Sequence, residues 1–513
     1  MRVIVVGAGL GGLAAAVALR AAGHDVLVCE RAPRPRENGA GIGLMPNGVL
    51  ALDALGVGDA VRAHAMPAAG TAGLRDHRGR LLLGSSPEAI ARRLGAPAVV
   101  LPRRRLHRLL ADALPDGTVR TDVEVRGLTA DGVHTADGPL AADLVVAADG
   151  VSSTLRALLH PTHPGITGSG EYAARAVVRI PPALMAAPVP ADACGASAGA
   201  TSRDAGSPRA AAPVTARPDV GSAGAASPEV APEAAPPGAA SAGAPSAGAA
   251  PPDVASPDAA AATVSSAAAC GASPGARSAG DEWPAAVSPS SGGRRADPGA
   301  APGGAGVPAG ELLDRRSGHR FGCMPMVDGE LYWYATWPAA DDVLGMTGSL
   351  AGADAVRARE WLAGTRGDWH PAVATLVLAA EEVHVTETVR LAGPLPSFVA
   401  GRVALLGDAA HAMTPDLGQG GCQAFEDAVA LGIHLRGVTP DGVPDALRRY
   451  DAERRPRTTA FLRASTRMQK LLTRTGPSAH ARDLLFRAVP SSLATASLVR
   501  QLRMAPPRPA SRR

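Results

Sequence analysis

The sequence has no long apolar run, few cysteines, few aromatic residues and almost no lysine. A membrane-spanning helix needs ~18 or more consecutive apolar residues, so we expect a soluble, cytoplasmic protein. The formal charge is +4, and no basic stripe is interleaved with aromatic residues, so no nucleic-acid partner is expected. The absence of C-x-x-C spacing is typical of a reducing compartment and predicts no metal site. The five cysteines are Cys29, Cys194, Cys270, Cys323 and Cys422.

Residues 184–310 contain little besides Ala, Pro, Gly and Ser, and Trp283 is the one aromatic residue among them. Such a segment cannot bury enough large apolar side chains to offset the entropy lost on ordering the chain. We therefore predict a long disordered insertion. It is either a solvated segment without chemistry, or a mobile lid or partner-binding arm.

Glycines cluster near the start of the chain, between an apolar run and a helix of small residues. Gly7, Gly9 and Gly12 form a G-x-G-x-x-G fingerprint. In a dinucleotide site the first glycine makes a tight turn, the second admits a pyrophosphate, and the third lets the helix sit close to the sheet. The next apolar strand ends at Glu30, where a carboxylate accepts ribose hydroxyls. This order predicts a dinucleotide-binding unit.

An apolar N-terminal stretch is also typical of a signal peptide. Arg2 precedes this stretch, and small residues end it. The interrupting glycines and the strand that follows favour the nucleotide-binding interpretation.

Two later apolar runs end at aspartates. The first run leads to Asp149-Gly150, and the second leads to Gly407-Asp408. Doubly wound sheets bind ligands at the carboxyl ends of their strands, so both aspartates are candidate ligand contacts. A helix cap is the alternative role for an aspartate in this position.

A hairpin is predicted where residues 321–337 alternate around Asp328-Gly329. This hairpin would belong to an antiparallel sheet, and another hairpin is predicted over 119–133. Four side chains of the first hairpin either line a pocket or pack in the core. They are Met324, Met326, Tyr332 and Tyr334.

Taken together, these segments resemble the class A flavoprotein monooxygenases, the single-component FAD-dependent aromatic hydroxylases. Within that family the chain is similar to the salicylate-hydroxylase and zeaxanthin-epoxidase-like group. The resemblance covers about residues 1–180 and 311–475. The matching elements are GAGLGG at 7–12, Glu30-Arg31, GAGIGLMPN at 39–47, Arg103-x-x-Leu106, DGVSSTLR at 149–156 and GDAAHAMTPDLGQGG at 407–421.

The resemblance implies an α/β fold with a Rossmann-like FAD-binding domain, a second domain on an antiparallel or mixed sheet, and C-terminal helices. The implied bounds are 1–165 and 396–440 for the FAD-binding domain, 166–183 and 311–395 for the substrate domain, 184–310 for the insertion, and 441–513 for C-terminal helices with a basic tail.

FAD and either NADH or NADPH are the cofactors that the resemblance implies. It assigns Asp408 to the ribityl hydroxyls, the Asp149-Gly150 turn to FAD and transiently to NAD(P)H, and Arg103 to the phosphates or ribityl chain. The implied FAD-binding residues are Gly7, Gly9, Gly12, Glu30, Arg31, Arg103, Asp149, Gly150, Gly407, Asp408, Gly418, Gly420 and Gly421.

The loop 415–421 leads into a helix, and in the family the positive end of that helix faces the N1–C2=O edge of the flavin. The resemblance also places a substrate-facing arginine at Arg175, for which an exposed position is the alternative. The implied catalytic residues are Pro415, Gly418, Gly420 and Arg175. His411 is expected to pack or to hydrogen-bond, not to act as a base.

Local structural roles compete with ligand contact at several positions. Ser153 and Arg156 are typical of capping and pairing at a helix start. Among Arg103, Arg104 and Arg105, at least one is expected to be solvated.

The function that the resemblance implies is an FAD-dependent, NAD(P)H-consuming monooxygenase. It would hydroxylate or epoxidise an electron-rich aromatic or polyene molecule with O₂ through a C4a-hydroperoxyflavin. A related flavoprotein oxidase or reductase and a non-catalytic flavin-binding protein are the alternatives. Weak peripheral membrane contact through the C-terminal helices is a further alternative to a solvated tail.

Overall fold

The computed structural model describes residues 1–34, 40–68, 72–185, 306–308, 310–342 and 345–504. Most of the predicted insertion, the tail at 505–513, Cys194, Cys270 and Trp283 lie outside the described residues. The described strands are β1 (Arg2–Val6), β2 (Asp25–Cys29), β3 (Gly41–Leu44), β4 (Met66–Pro67), β5 (Ala72–Asp76), β6 (Leu81–Ser85), β7 (Val99–Pro102), β8 (Val119–Arg120), β9 (Val125–Thr129), β10 (Gly132–Thr135), β11 (Gly138–Ala141), β12 (Leu144–Ala147), β13 (Ile166–Arg179), β14 (Gly310–Leu313), β15 (Arg320–Pro325), β16 (Glu330–Pro338), β17 (Gly348–Leu350), β18 (Val383–Leu391), β19 (Val399–Ala400) and β20 (Val403–Leu405).

The described helices are α1 (Leu10–Ala21), α2 (Pro46–Ala54), α3 (Gly58–Ala63), α4 (Pro87–Leu94), α5 (Arg103–Asp112), α6 (Thr154–Leu159), α7 (Pro182–Met185), α8 (Gly352–Gly364), α9 (Pro371–Leu378), α10 (Asp408–His411), α11 (Gly420–Leu435), α12 (Val443–Leu472), α13 (Gly476–Ala488) and α14 (Ser491–Leu502). None of these helices is long and apolar enough to cross a membrane.

The first sheet has six strands in the order β19-β20-β12-β1-β2-β8. All neighbouring pairs are parallel except β19 with β20. Strands β1 and β12 are almost wholly buried, as continuous apolar strands of a parallel sheet are. Residues 2–21 thus form β1 and α1 of a Rossmann-like sheet, the strand-turn-helix arrangement that the nucleotide-binding interpretation predicts and the signal-peptide interpretation does not.

Two glycines of the fingerprint are required by close contacts. Gly7 has φ +102°, and a Cβ on it would lie 2.5 Å from the carbonyl oxygen of Ala148. A Cβ on Gly12 would lie 1.9 Å from the carbonyl oxygen of Gly7. The tight turn and the close approach of helix and sheet are therefore as the sequence predicts.

The second sheet has eight strands in the order β17-β18-β13-β16-β15-β14-β5-β6. Its pairs are antiparallel except β14 with β5, so the predicted antiparallel or mixed sheet is confirmed.

Strands β5 and β6 come from residues 72–85, which were predicted from the sequence to belong to the FAD-binding domain. This segment belongs to the second sheet, because strands distant in sequence pair there without any local signal. Both edges of the predicted insertion, in α7 and at the start of β14, also belong to regular elements.

The two faces of the second sheet differ in character. Trp333, Trp337 and Phe321 are fully buried on one face and join a core formed with α8 and α9. Because side chains alternate along a strand, Arg175 on β13 and the opposite Tyr334 on β16 lie on the other face. That face carries polar groups and borders the first sheet's loops.

The hairpin at Asp328-Gly329 is confirmed. Both residues have positive φ, 61° and 72°, and the N–H of Glu330 donates to the carbonyl oxygen of Val327. The hairpin predicted over 119–133 is present, but it spans residues 125–135, where β9 and β10 pair antiparallel around residues 130–131. The first part of the predicted range does not belong to this hairpin, because β8 pairs in parallel with β2, and alternation alone does not specify a partner.

A buried arginine joins the second sheet to the loop before α11. Arg320, 3% exposed, donates to both carboxylate oxygens of Glu171 at 3.0 Å, to Asp416 Oδ1 at 2.7 Å and to Glu311 Oε1 at 3.2 Å. Gln469 Nε2 donates to Glu171 Oε2 at 2.6 Å. Burial raises the pKa of Glu311 to about 7. Arg320 opposes this rise, and Asp416 and Glu171 add to it.

The substitution Glu311→Gln should stabilise the protein above neutral pH. Between the unfolded pKa, near 4.5, and the folded pKa, the folded protein binds more protons at this group, so stability falls as pH rises. We expect Glu311→Gln to raise Tm by a few degrees at about pH 8 and to change it less at about pH 5. Glu360→Gln on the exposed side of α8 is the control and should change Tm at neither pH. A variant Tm below that of the wild type at the higher pH would show that ionised Glu311 stabilises the cluster.

Candidate cofactor and substrate site

The glycine loop at the start of α1 leaves an open surface. A Cβ on Gly9 would meet no atom within 4 Å, and no side chain caps the helix. The N–H groups in the first turn of a helix have no partner within it, and the macrodipole adds positive charge there. This end of α1 therefore suits an anionic group such as a pyrophosphate.

Glu30 lies beside this loop at the end of β2. Its Oε2 accepts the N–H of Ala8 at 2.8 Å, and its Oε1 accepts the N–H of Ala32 at 2.9 Å. A carboxylate oxygen has two lone pairs, so each oxygen keeps one for a further donor such as a hydroxyl. Arg31 is exposed next to it.

The Asp149-Gly150 turn lies at the end of β12, beside β1. Asp149 Oδ2 accepts the N–H of Leu155 at 3.1 Å, whereas its Oδ1 is buried without a hydrogen-bond partner. Gly150 has φ +82°. The buried, unpaired oxygen is the kind of group that a bound ligand satisfies.

Ser153 and Arg156 have structural roles. Ser153 Oγ accepts the N–H of Arg156 at 2.9 Å and so caps α6. The Arg156 guanidinium donates to the carbonyl oxygens of Val151 at 2.7 Å and Ala409 at 3.3 Å. It therefore ties the Asp149 turn to α10, which confirms the capping and pairing interpretation.

Asp408 opens α10 and is exposed, and among the described residues its carboxylate accepts no hydrogen bond. Its Oδ1 lies 3.9 Å from the position that a Cβ on Gly420 would take. The carboxylate therefore faces the start of α11, free to accept from ligand hydroxyls. The helix-cap alternative does not apply, because Asp408 caps no N–H.

The loop before α11 contacts the loop before α2. Pro415 opens a 3-10 turn, Gly418 has φ +60°, and no side chain caps α11. A Cβ on Gly418 would lie 3.4 Å from Met45 Cε, and one on Gly421 would lie 3.5 Å from Ile42 Cδ1. The uncapped start of this 16-residue helix therefore lies next to Asp408 and to strand β3.

The polar face of the second sheet abuts the other side of β3. Cβ atoms on Gly41 and Gly43 would lie 2.5 Å from Tyr332 and 3.5 Å from Met324 Sδ. Met324 and Tyr334 pack against a small core formed by Met326, Tyr332 and Val100.

Arg175 lies half-buried on the same polar face. Its Nη1 donates to Thr386 Oγ1 at 2.8 Å, and its guanidinium also bonds to the Tyr332 side chain. Burial raises the pKa of Tyr332, and the positive charges of Arg175 and Arg103 oppose the rise. Arg175 has no carboxylate partner among the described residues, so the predicted position facing a substrate is open to an acidic or carbonyl group.

The three arginines that begin α5 are exposed. Arg103 donates its backbone N–H to Ala40 at 3.0 Å and lies near Tyr332, while Arg104 lies 4.0 Å from Glu330. Arg105 forms no described ion pair, in line with the expectation that one of the three is solvated.

His411 hydrogen-bonds within the protein, as expected. Its Nε2 lies 2.6 Å from Asp427 Oδ2, and the side chain is buried. Three further residues that are buried around the same loops were not predicted from the sequence: Arg320, Asn47 and Arg454. The signal for Arg320 was a charged residue at the start of the otherwise apolar β15, and the segments GLMPN and ERRP contain the other two.

Known proteins match this chain over both glycine clusters. The family described as FAD binding domain matches residues 1–188 and 383–465, more than half of the chain. An aurachin C monooxygenase/isomerase from Stigmatella aurantiaca is 27% identical over 480 residues, covering 92% of this chain and 89% of that protein. An FAD-dependent urate hydroxylase from Klebsiella pneumoniae is 28% identical over 473 residues, covering 88% and 86%.

Solved structures share the fold. Klebsiella pneumoniae HpxO, complexed with FAD and uric acid, superposes with a TM-score of 0.67 at 23% identity, covering 98% of this chain and 96% of that one. A salicylate hydroxylase substrate complex gives 0.58 at 18% identity, covering 98% of each chain. The glycine loops and the family match agree, and the chain belongs to the FAD binding domain family as an FAD-dependent monooxygenase of the class A flavoprotein group.

Proposed function

We propose that FAD lies between the two glycine clusters. The pyrophosphate would lie at the start of α1 near Gly9, Glu30 would accept the ribose hydroxyls, and Asp408 would accept the ribityl hydroxyls. The buried, unpaired oxygen of Asp149 and the uncapped helix starts support this assignment. Gly7 and Gly407 allow the turns through their positive φ, and Gly12 lets α1 lie close to the sheet. Arg31, Arg103 and Gly150 would border the same cofactor site.

When bound, FAD supplies the redox chemistry, accepting a hydride from NADH or NADPH and activating O₂ at its C4a atom. The protein supplies the electrostatics. The uncapped N-terminus of α11, at Gly418, Gly420 and Gly421, would stabilise negative charge on the reduced ring. Pro415 shapes the preceding turn. The observation that carries the proposal is the meeting of this helix start with Asp408 and β3.

The substrate would be a small electron-rich molecule, most simply an aromatic one, that is hydroxylated or epoxidised. The names of the relatives include urate and 3-amino-4-hydroxybenzoate, both aromatic. The substrate would lie against the polar face of the second sheet, next to β3. There Arg175 would orient an acidic or carbonyl group, since its charge has no partner carboxylate among the described residues.

Gly9→Val should weaken FAD binding strongly without unfolding the protein. A Cβ at position 9 meets no protein atom, so the apoprotein should keep its Tm, but the side chain would occupy the space where the pyrophosphate approaches. We expect FAD affinity to fall by about 100-fold or more. Gly12→Val is the matched control, and it should lower the Tm of the apoprotein because its Cβ overlaps the carbonyl of Gly7. Full flavin content in desalted Gly9→Val protein would place the pyrophosphate elsewhere.

Turnover under labelled O₂ in unlabelled water tests the reaction. Phenolic, polycyclic and polyene compounds are first screened for stimulated NADH or NADPH oxidation. We then expect label in the product. Oxygen from water in the product would indicate a hydroxylating dehydrogenase. Hydrogen peroxide without an oxygenated product would indicate an oxidase. If no compound stimulates oxidation, a non-catalytic flavin-binding protein is favoured.

In the same assay Arg175→Met should raise KM and divert turnover to peroxide, because the substrate loses its anchor. Arg179→Met is the matched control, since Arg179 is exposed on the same strand. Equal kinetics for both variants would contradict the role of Arg175.

A further inference from the structure

Arg454 on α12 is buried, and every edge of its guanidinium is used. Nε donates to Asp427 Oδ1 at 2.7 Å, Nη1 to Glu426 Oε2 at 2.7 Å and Nη2 to Gln423 Oε1 at 2.8 Å. One planar group thus holds three residues of α11, and a lysine ammonium cannot reproduce that geometry. These contacts fix the rotation of α11 about its own axis and its position along α12.

Asp427 extends this contact to the loop that carries Asp408. Its Oδ2 accepts the backbone N–H of Gly407 at 3.1 Å and lies 2.6 Å from His411 Nε2. Burial alone would raise the pKa of Asp427, but His411 and Arg454 hold it at about 2, so the carboxylate is ionised. Gly407 directly precedes Asp408, the proposed acceptor for the ribityl hydroxyls. This hydrogen bond therefore fixes the position of the Asp408 backbone.

Glu426 extends the contact in the other direction. Its Oε1 accepts Asn47 Nδ2 at 2.8 Å. Asn47 in turn exchanges two amide hydrogen bonds with Gln419, at 2.9 and 3.3 Å. Gln419 lies between Gly418 and Gly420. The hydrogen bonds that run from Glu426 through Asn47 to Gln419 therefore end inside the loop that would face the flavin ring.

A purely stabilising role explains these contacts poorly. Desolvation of buried ion pairs costs about as much as their attraction returns, so an apolar cluster would be as stable. What the polar cluster adds is directional geometry, reaching two separate cofactor loops from one residue.

We propose that Arg454 is a positioning residue that sets Asp408 and the loop 418–421 relative to each other, so that one FAD is held at its ribityl chain and at its ring. The proposal rests on the FAD site described under Proposed function. It predicts that small changes at Arg454 alter the bound flavin more than they alter the fold.

The test compares Arg454→Lys with the full-length wild type. The readouts are the Kd for FAD by flavin fluorescence, the visible spectrum and reduction potential of the bound flavin, and the Tm of the apoprotein. We expect the Kd to rise by about tenfold, the potential to shift and the absorption band to lose fine structure. Failure of the wild type to bind FAD would overturn the proposed function instead.

Arg482→Lys is the matched control. Arg482 is equally buried and donates to Asp483 and to the carbonyls that end α12, away from the cofactor loops. We expect it to lower Tm while leaving the Kd and the spectrum unchanged. Should Arg454→Lys fail to fold, the double variant Asn47→Ala/Gln423→Ala decides, because it removes both side chains that hydrogen-bond to Gln419 and keeps the ion pairs of Arg454 with Glu426 and Asp427. A wild-type Kd and spectrum in whichever variant folds would overturn the proposal.

Discussion

The site depends on the close packing of α1 against α11. A Cβ on Gly432 would lie 2.9 Å from Ala18 Cβ, and one on Gly11 would lie 3.3 Å from Ala424 Cβ. Small residues let the two helices approach this closely, and close-packed interiors leave little room for change. Residues 10 and 420, the starts of the two helices, thereby come to the same edge of the first sheet. A single dinucleotide can then contact the glycine loops from both ends of the chain.

Two buried arginines hold the loop before α11, and α11 itself, in this arrangement. Arg320 ties the second sheet to Asp416 in the loop before α11, and Arg454 ties α12 to Glu426 and Asp427 within α11. Each guanidinium meets several carboxylates, an arrangement that is costly to desolvate and demanding in geometry. The loop 415–421 is therefore held from two sides by directional contacts. Such rigidity is what a helix start needs if it is to act on charge at a fixed position.

The first sheet could be predicted from the sequence because its requirements are local. Gly7 and Gly12 are needed wherever a strand turns sharply into a helix that packs on it, and Asp408 follows from the rule that ligands bind at strand ends. Strands β5 and β6 could not be assigned, since pairing with β14 joins segments with no shared local pattern. Arg320 was missed for the same reason: Glu171 and Asp416 lie 149 and 96 residues away from it. The capping role of Ser153 was predicted, because capping acts over three residues.

We propose that a single FAD spans both glycine clusters. Titration of the purified apoprotein with FAD and with FMN tests it most directly, because FMN has the ring and ribityl chain but lacks the adenosine half that the α1 cluster would hold. We expect FAD to bind about 100-fold more tightly than FMN and to raise Tm accordingly. Equal affinity for the two flavins would show that the glycines near the start of the chain do not hold the cofactor.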